Sequence, residues 1–212
     1  MTKREYLKTE LLRKLAAKLK EYDFRLNKAR AEFIQRVSIG WFKYQIVFKK
    51  TDNGWDLKPS LLLRFDEVED IFHNISEFEA KYQKDTPTIG ISIEDYKMDS
   101  NNYRYQLTEE EQLDFISQKL FVLFQKEGIP FLQRYNTIGK LDAALNNNLH
   151  ETSLTGGIFK GTKAIIVAKL SNRANFKELE RFYLDYYENF ANGFYLESYL
   201  SLINYLSTSV RL

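Results

Sequence analysis

The sequence predicts an α+β fold: an N-terminal helix, an antiparallel meander of four to five strands with an inserted helix, then a helical C-terminal half. Three observations predict it. Apolar residues recur at helical spacing over the first 22 positions, the period changes to two after Asp23, and helix caps return from Thr108 onward. The expected organisation is a sheet domain over 1–107 and a helical subdomain over 108–212, packed as one compact unit.

The first helix covers 2–22. Leu7, Leu11, Leu12, Leu15, Ala16 and Leu19 form its stripe, and Thr2 with Glu5 reads as a capping box. In 41–50, Phe42, Tyr44, Ile46 and Phe48 share one face. The turn 51–54 (Thr-Asp-Asn-Gly) leads to a return strand with Trp55, Leu57, Leu61, Leu63 and Phe65 on one face. Residues 32–39 pair with 41–48 across Gly40, and 24–27 add a short edge strand. Pro59 marks a bulge or an outward-facing position, because proline donates no ladder bond. A helix follows over 67–79, with Asp66 as cap and Val68, Ile71, Phe72, Ile75 and Phe78 as stripe. This helix and the first are the expected covers of the apolar sheet face. Residues 88–93 supply another strand, 97–102 a polar loop, and 103–106 a short extra strand. Thr108 to Glu111 reads as a capping box opening a helix that stops at Gly128, with Pro130 opening the next. Short helices cover 131–135 and 138–146, and 146–157 is a polar loop. Residues 162–170 fit a buried strand or a helix, and their surroundings favour helix. Asn175 with Glu178 opens a helix whose face is Leu179, Phe182, Tyr183, Tyr186 and Phe190, ended by Gly193. Leu196, Tyr199, Leu200, Ile203 and Leu206 form the last helix.

The composition supports a packed core. Hydrophobic residues make up 44%, with 16 Phe, 14 Tyr and 2 Trp in 212 positions. No cysteine is present, which excludes disulfide and thiolate chemistry in this chain and fits a reducing compartment. The longest apolar run, 164–168, is far below the roughly 20 residues of a membrane span, and the start lacks the apolar core of a secretory signal. A net charge of +2, from 31 basic and 29 acidic residues, points to neither nucleic acid nor an anionic membrane.

No recognisable catalytic or metal-binding constellation emerges. The segment 155–163 (TGGIFKGTK) approaches a phosphate-binding loop, with Gly156 and Gly161 at its spacing. Thr162-Lys163 reverses the required Lys-Ser/Thr order, which swings each side chain by about 100° around the following helix. Asp70, His73 and Glu77 share a helix face with metal-ligand chemistry. That face lies opposite the apolar stripe and is expected to point to water. His150 lies in the polar loop without a partner pattern. No nucleophile elbow is present.

Two surfaces stand out. Arg36, Lys43, Lys49, Lys58 and Arg64 project from the second sheet face, diluted by Glu32, Asp56 and Glu94. Such a face suits an acidic protein or a phosphate backbone, and is otherwise an ordinary solvated face. The second surface is the loop carrying Tyr103, Arg104 and Tyr105, residue types enriched at interface hot spots.

The apolar spacing of 15–24, 33–48 and 55–65, with the helical runs 131–145 and 164–170, resembles a group of small bacterial proteins filed under a domain of unknown function. Some of these lie near contact-dependent toxin genes. That group usually has glycine before the phenylalanine ending the first helix, where this chain has Asp23. The resemblance implies a binding or immunity role and supplies no catalytic residues. The resulting expectation is a cytoplasmic, non-enzymatic protein-binding protein, with Arg36, Lys43, Lys49, Lys58, Arg64, Tyr103, Arg104 and Tyr105 as contact residues. It takes no metal or other cofactor, no nucleic acid and no membrane, and its oligomeric state is open. The alternatives are an enzyme whose site is assembled from distant acidic residues, and a nucleic-acid-associated protein using the basic face.

Overall fold

The computed structural model describes residues 1–99, 101–149 and 154–208. Its elements in chain order are α1 (Lys3–Leu19), β1 (Arg25–Asn27), β2 (Glu32–Val37), β3 (Gly40–Lys50), β4 (Trp55–Phe65), α2 (Asp66–His73), α3 (Ala80–Gln83), β5 (Ile89–Ser92), α4 (Ile93–Lys97), β6 (Tyr105–Leu107), α5 (Leu113–Leu123), α6 (Ile129–Tyr135), α7 (Ile138–Asn146), α8 (Lys160–Leu170), α9 (Phe176–Asn189) and α10 (Leu196–Thr208). The fold is α+β, as the periodicity predicts. Among the described residues the sheet has six strands in the order β1-β2-β3-β4-β5, with β6 also paired to β4. Glu32 stands opposite Gln45 and Val37 opposite Gly40, so Ser38 and Ile39 form the turn between β2 and β3.

The chain divides into two compact units, and the division does not fall at 107/108. The first holds 1–63 and 90–134, and the second holds 64–89 and 135–212.

In the first unit α1 and α5 cover the apolar sheet face. Leu7, Leu11, Leu12, Leu15 and Leu19 are buried, and the Thr2 hydroxyl accepts from the Glu5 amide as the capping pattern predicts. Trp55 Nε1 donates to Arg4 O at 2.9 Å, fastening α1 to β4. Phe24 and Tyr44 pack on Phe124, and Phe42 packs on Phe24, in an aromatic core, and the Tyr44 hydroxyl donates to Leu120 O at 3.1 Å. Asp23 ends the first helical stretch in the left-handed region (φ 61°), which Asp tolerates better than most residues.

Three features of the helical half differ from expectation. The helix from Leu113 does not stop at Gly128: a π-helical turn over Phe124–Gly128 carries it into α6. The Ile129 amide bonds back five residues to Phe124 O, and this wider turn accommodates Pro130, which has no amide to donate. Gly128 serves packing instead, since a Cβ there would lie 2.7 Å from the Phe124 ring. The capping box is shifted by one residue, to Glu109 and Gln112. At Asn175 no box forms, because its side chain accepts from Arg173 Nε at 2.8 Å.

The second unit is built around α8. Ala164 to Ala168 are fully buried, and α2, α7, α9 and α10 all pack on this helix. The segment 162–170 is therefore a helix that is apolar nearly all round, as a central helix must be. Gly161 permits its close approach to α9: a Cβ there would meet the Tyr187 ring at 2.6 Å and the Tyr183 ring at 2.9 Å. A buried polar network joins α7, α8 and α9. Asn146 Nδ2 donates to Asp142 and to Ala164 O, the Tyr183 hydroxyl donates to Asn146, and Arg173 pairs with Asp142 at 2.8 Å. No helix among the described residues is long and apolar enough to cross a membrane.

Candidate functional site

The second unit holds a buried ionic cluster where α2 meets α8. Asp66 opens α2 directly at the end of β4, which turns Glu69 inward, and its side chain is 0% exposed. Lys163 projects from the opposite helix, α8. Its Nζ lies 2.9 Å from Glu69 Oε1, donates to Oε2 at 3.1 Å and to Pro87 O, and stands over the Phe72 and Phe159 rings. Thr86 completes the carboxylate's shell, donating to Oε2 at 2.7 Å. Around this pair, Arg64 binds Asp66, Gln83 O and both oxygens of Thr86. His73 Nε2 lies 3.1 Å from Gln83 O, which only accepts, so Nε2 carries the proton and Nδ1 accepts from Ser76 Oγ at 2.7 Å.

Burial is the main cause that lowers the His73 and Lys163 pKa values. Glu69 opposes the shift at both. The buried carboxylate is met within the cluster, Oε2 by Thr86 and Lys163 and Oε1 by the Lys163 ion pair alone. The arrangement clasps the segment 74–88 onto α2, which is structural work.

The cluster corrects the Asp70, His73 and Glu77 expectation. The helix ends at His73, because Asn74 and Ile75 amides turn back to Ile71 and Phe72, and Glu77 lies beyond it. Asp70 is 77% exposed while the His73 side chain is 6% exposed, so the two do not share a face. Among the described residues no group of three or more His, Asp or Glu is placed to hold a metal ion.

The phosphate-loop resemblance also dissolves at atomic level. Lys163 is turned to Glu69. The Thr162 amide, at the start of α8, is met by the Tyr187 hydroxyl, which accepts from it at 3.1 Å and donates to Ile158 O at 2.8 Å. His150 lies outside the described residues.

The residues expected to contact a partner are dispersed. Lys43 is buried against Glu32 at 3.1 Å and over the Trp41 ring at 4.1 Å, and Arg64 is buried in the cluster. Neither projects from a solvated basic face: Lys43 has the Glu32 carboxylate buried with it, and Arg64 is buried against Gln83 O and the Thr86 oxygens, with its carboxylate partner Asp66 at the surface. Lys58 and Arg104 meet Glu94, Asp95 and Asp56 in one network, where the carboxylates outnumber the cations. Tyr103 donates to Asp99 at 2.8 Å, and Tyr105 is half-buried. Arg36 and Lys49 are exposed.

The structure brings out a different surface along α9. The buried face of that helix is Leu179, Tyr183 and Tyr187, completed by Tyr199 of α10. Phe182, Tyr186 and Phe190 form a second row, at intervals of four, that is only half-buried. With Leu149 and Lys160 opposite, and Asp185 and Asn189 beside them, this row lines an open groove of about 510 Å³. Tyr186 and Phe190 stack at 5.2 Å, and the Tyr186 hydroxyl donates to Gly157 O at 3.0 Å. The missed signal was quantity: α9 and its end carry more aromatic residues than one buried stripe can hold.

No protein-family model matches the chain, and neither a curated protein nor a solved structure matches it.

Proposed function

We propose that this is a non-enzymatic binding protein whose α9 groove receives an apolar segment of another protein. The observation that carries the reading is the half-buried row Phe182, Tyr186 and Phe190 lining an open groove. Large rings left partly in water beside a concave surface are the anchors that interfaces use, because their burial contributes on the order of 25 cal/mol per Å² at small entropic cost. The buried carboxylate of the second unit is satisfied by its own neighbours. The absence of cysteine fits a reducing, cytoplasmic setting.

The test is selection of binders from a random peptide library on the intact chain, repeated on a Phe182→Ser/Phe190→Ser variant. Both positions lie outside the buried stripe, so the variant should keep its fold by circular dichroism. Enriched peptides should carry aromatic or aliphatic anchors and bind the variant at least tenfold more weakly. Equal binding to both proteins, or no enrichment, overturns the reading.

A further inference from the structure

The groove is not uniformly apolar. Lys160, the first residue of α8, lines it, and its Nζ donates to Leu149 O. An ammonium has three donors, and a lone carbonyl leaves it without a counter-charge. Among the described residues no carboxylate lies within 4 Å of Lys160 Nζ, whereas Lys163, one turn further along the same helix, has Glu69 at 2.9 Å. Burial lowers the Lys160 pKa with no acidic neighbour opposing it. Asp185 also lines the groove but is exposed and makes no ion pair with Lys160. A half-buried cation beside a row of aromatic rings is therefore an unmet electrostatic demand at the groove wall.

The row also limits the shape of what fits. Phe182 to Phe190, the residue just past the end of α9, is eight steps along the chain, about 12 Å at 1.5 Å per residue. Three to four residues of extended chain cover that length at about 3.3 Å each. The groove is open, so such a segment can pass through it rather than end in it.

Resting on the groove reading above, we infer that the partner segment is acidic as well as apolar: it places an Asp or Glu carboxylate on Lys160 and an adjacent apolar side chain against the aromatic row. The carboxylate gains charge-assisted hydrogen bonds in a partly desolvated site, which raises affinity by about ten- to a hundredfold over a neutral amide.

The experiment takes a library-selected groove peptide containing an acidic residue and its Glu→Gln or Asp→Asn counterpart. Their affinities are measured by fluorescence polarisation on the intact chain and on Lys160→Met and Lys160→Arg. The acidic peptide should bind the unaltered chain at least tenfold more tightly, the preference should vanish with Lys160→Met, and Lys160→Arg should retain most of it. Equal affinity of acid and amide for the unaltered chain, with both lost in Phe182→Ser/Phe190→Ser, overturns this inference and leaves the groove reading standing. An acid preference that survives Lys160→Met also overturns it. Peptides indifferent to Phe182→Ser/Phe190→Ser defeat the groove reading itself.

Discussion

Two lysines three residues apart on one helix live under opposite conditions. Lys163 is 5% exposed, pinned between a carboxylate and two aromatic rings. Lys160 is half-buried on a groove wall, with a carbonyl as its partner. The three-residue step leaves the two side chains only about 60° apart around α8 and one turn apart along it, so what separates them is their partners: Lys163 reaches Glu69 of α2, and Lys160 lines the α9 groove. A charge inside a helical core must bring its counter-charge with it, whereas a charge on an open groove can wait for one. The first lysine belongs to stability and the second to recognition.

The largest effect should come from breaking the buried pair. Lys163→Met strands the Glu69 carboxylate, which is 0% exposed, and should cost about 3–5 kcal/mol in urea unfolding. Lys160→Met should stay within about 0.5 kcal/mol, since it removes no buried counter-charge. Adding Glu69→Gln to Lys163→Met should recover part of the loss. Similar costs at both lysines would erase the distinction between them.

Gly161, one of the two residues between the lysines, offers a second, smaller test. Gly161→Ala forces a methyl to within 2.6 Å of the Tyr187 ring, so α8 and α9 must separate. The expected cost is about 1–3 kcal/mol. Gly156→Ala meets nothing within 4 Å and should be neutral or slightly stabilising. A neutral Gly161→Ala would show that the α8–α9 contact is looser than the structure draws it.

What the sequence shows depends on how far apart the cooperating residues lie. The first helix, the turn at 51–54, the strand alternation and the helix at 138–146 are local patterns, and they stand where periodicity places them. Glu69 and Lys163 are 94 positions apart, and no spacing rule joins them. One sign was available: a lysine beside 164–168, in a helix apolar nearly all round, needs a partner that the fold brings from elsewhere. Lys43 and Arg64 misled for the same reason. Alternation places them on the second sheet face, but whether that face is wet at each position is decided by distant chain. The groove was hidden because a stripe drawn through Leu179, Phe182, Tyr183, Tyr186 and Phe190 merges two rows, of which the structure buries one.

The smallest predicted effect concerns acid and the clasp over 74–88. His73 is faced by Arg64 and Lys163, which disfavour its protonation, by Glu69 and Gln83 O, which favour it, and by Thr86 and Ser76, which bond its ring. Asp66 and Asp70 stand beyond Arg64 and are exposed. Burial is the largest influence and, with the two cations, leaves the folded-state pKa below the ordinary value near 6.5. As pH falls below that ordinary value, the unfolded chain takes up a proton that the folded chain still refuses, so stability drops. The contribution is fully present near neutral pH and declines as pH falls through the histidine range to the lowered folded pKa. Urea midpoints at pH 7 and pH 5 should therefore fall further for the unaltered chain than for His73→Gln, by less than the glycine substitution costs. Carboxylates titrating elsewhere affect both proteins alike, so only the difference between them counts. Parallel declines would mean that His73 takes its proton as readily folded as unfolded, and that the clasp tolerates a third cation beside Arg64 and Lys163.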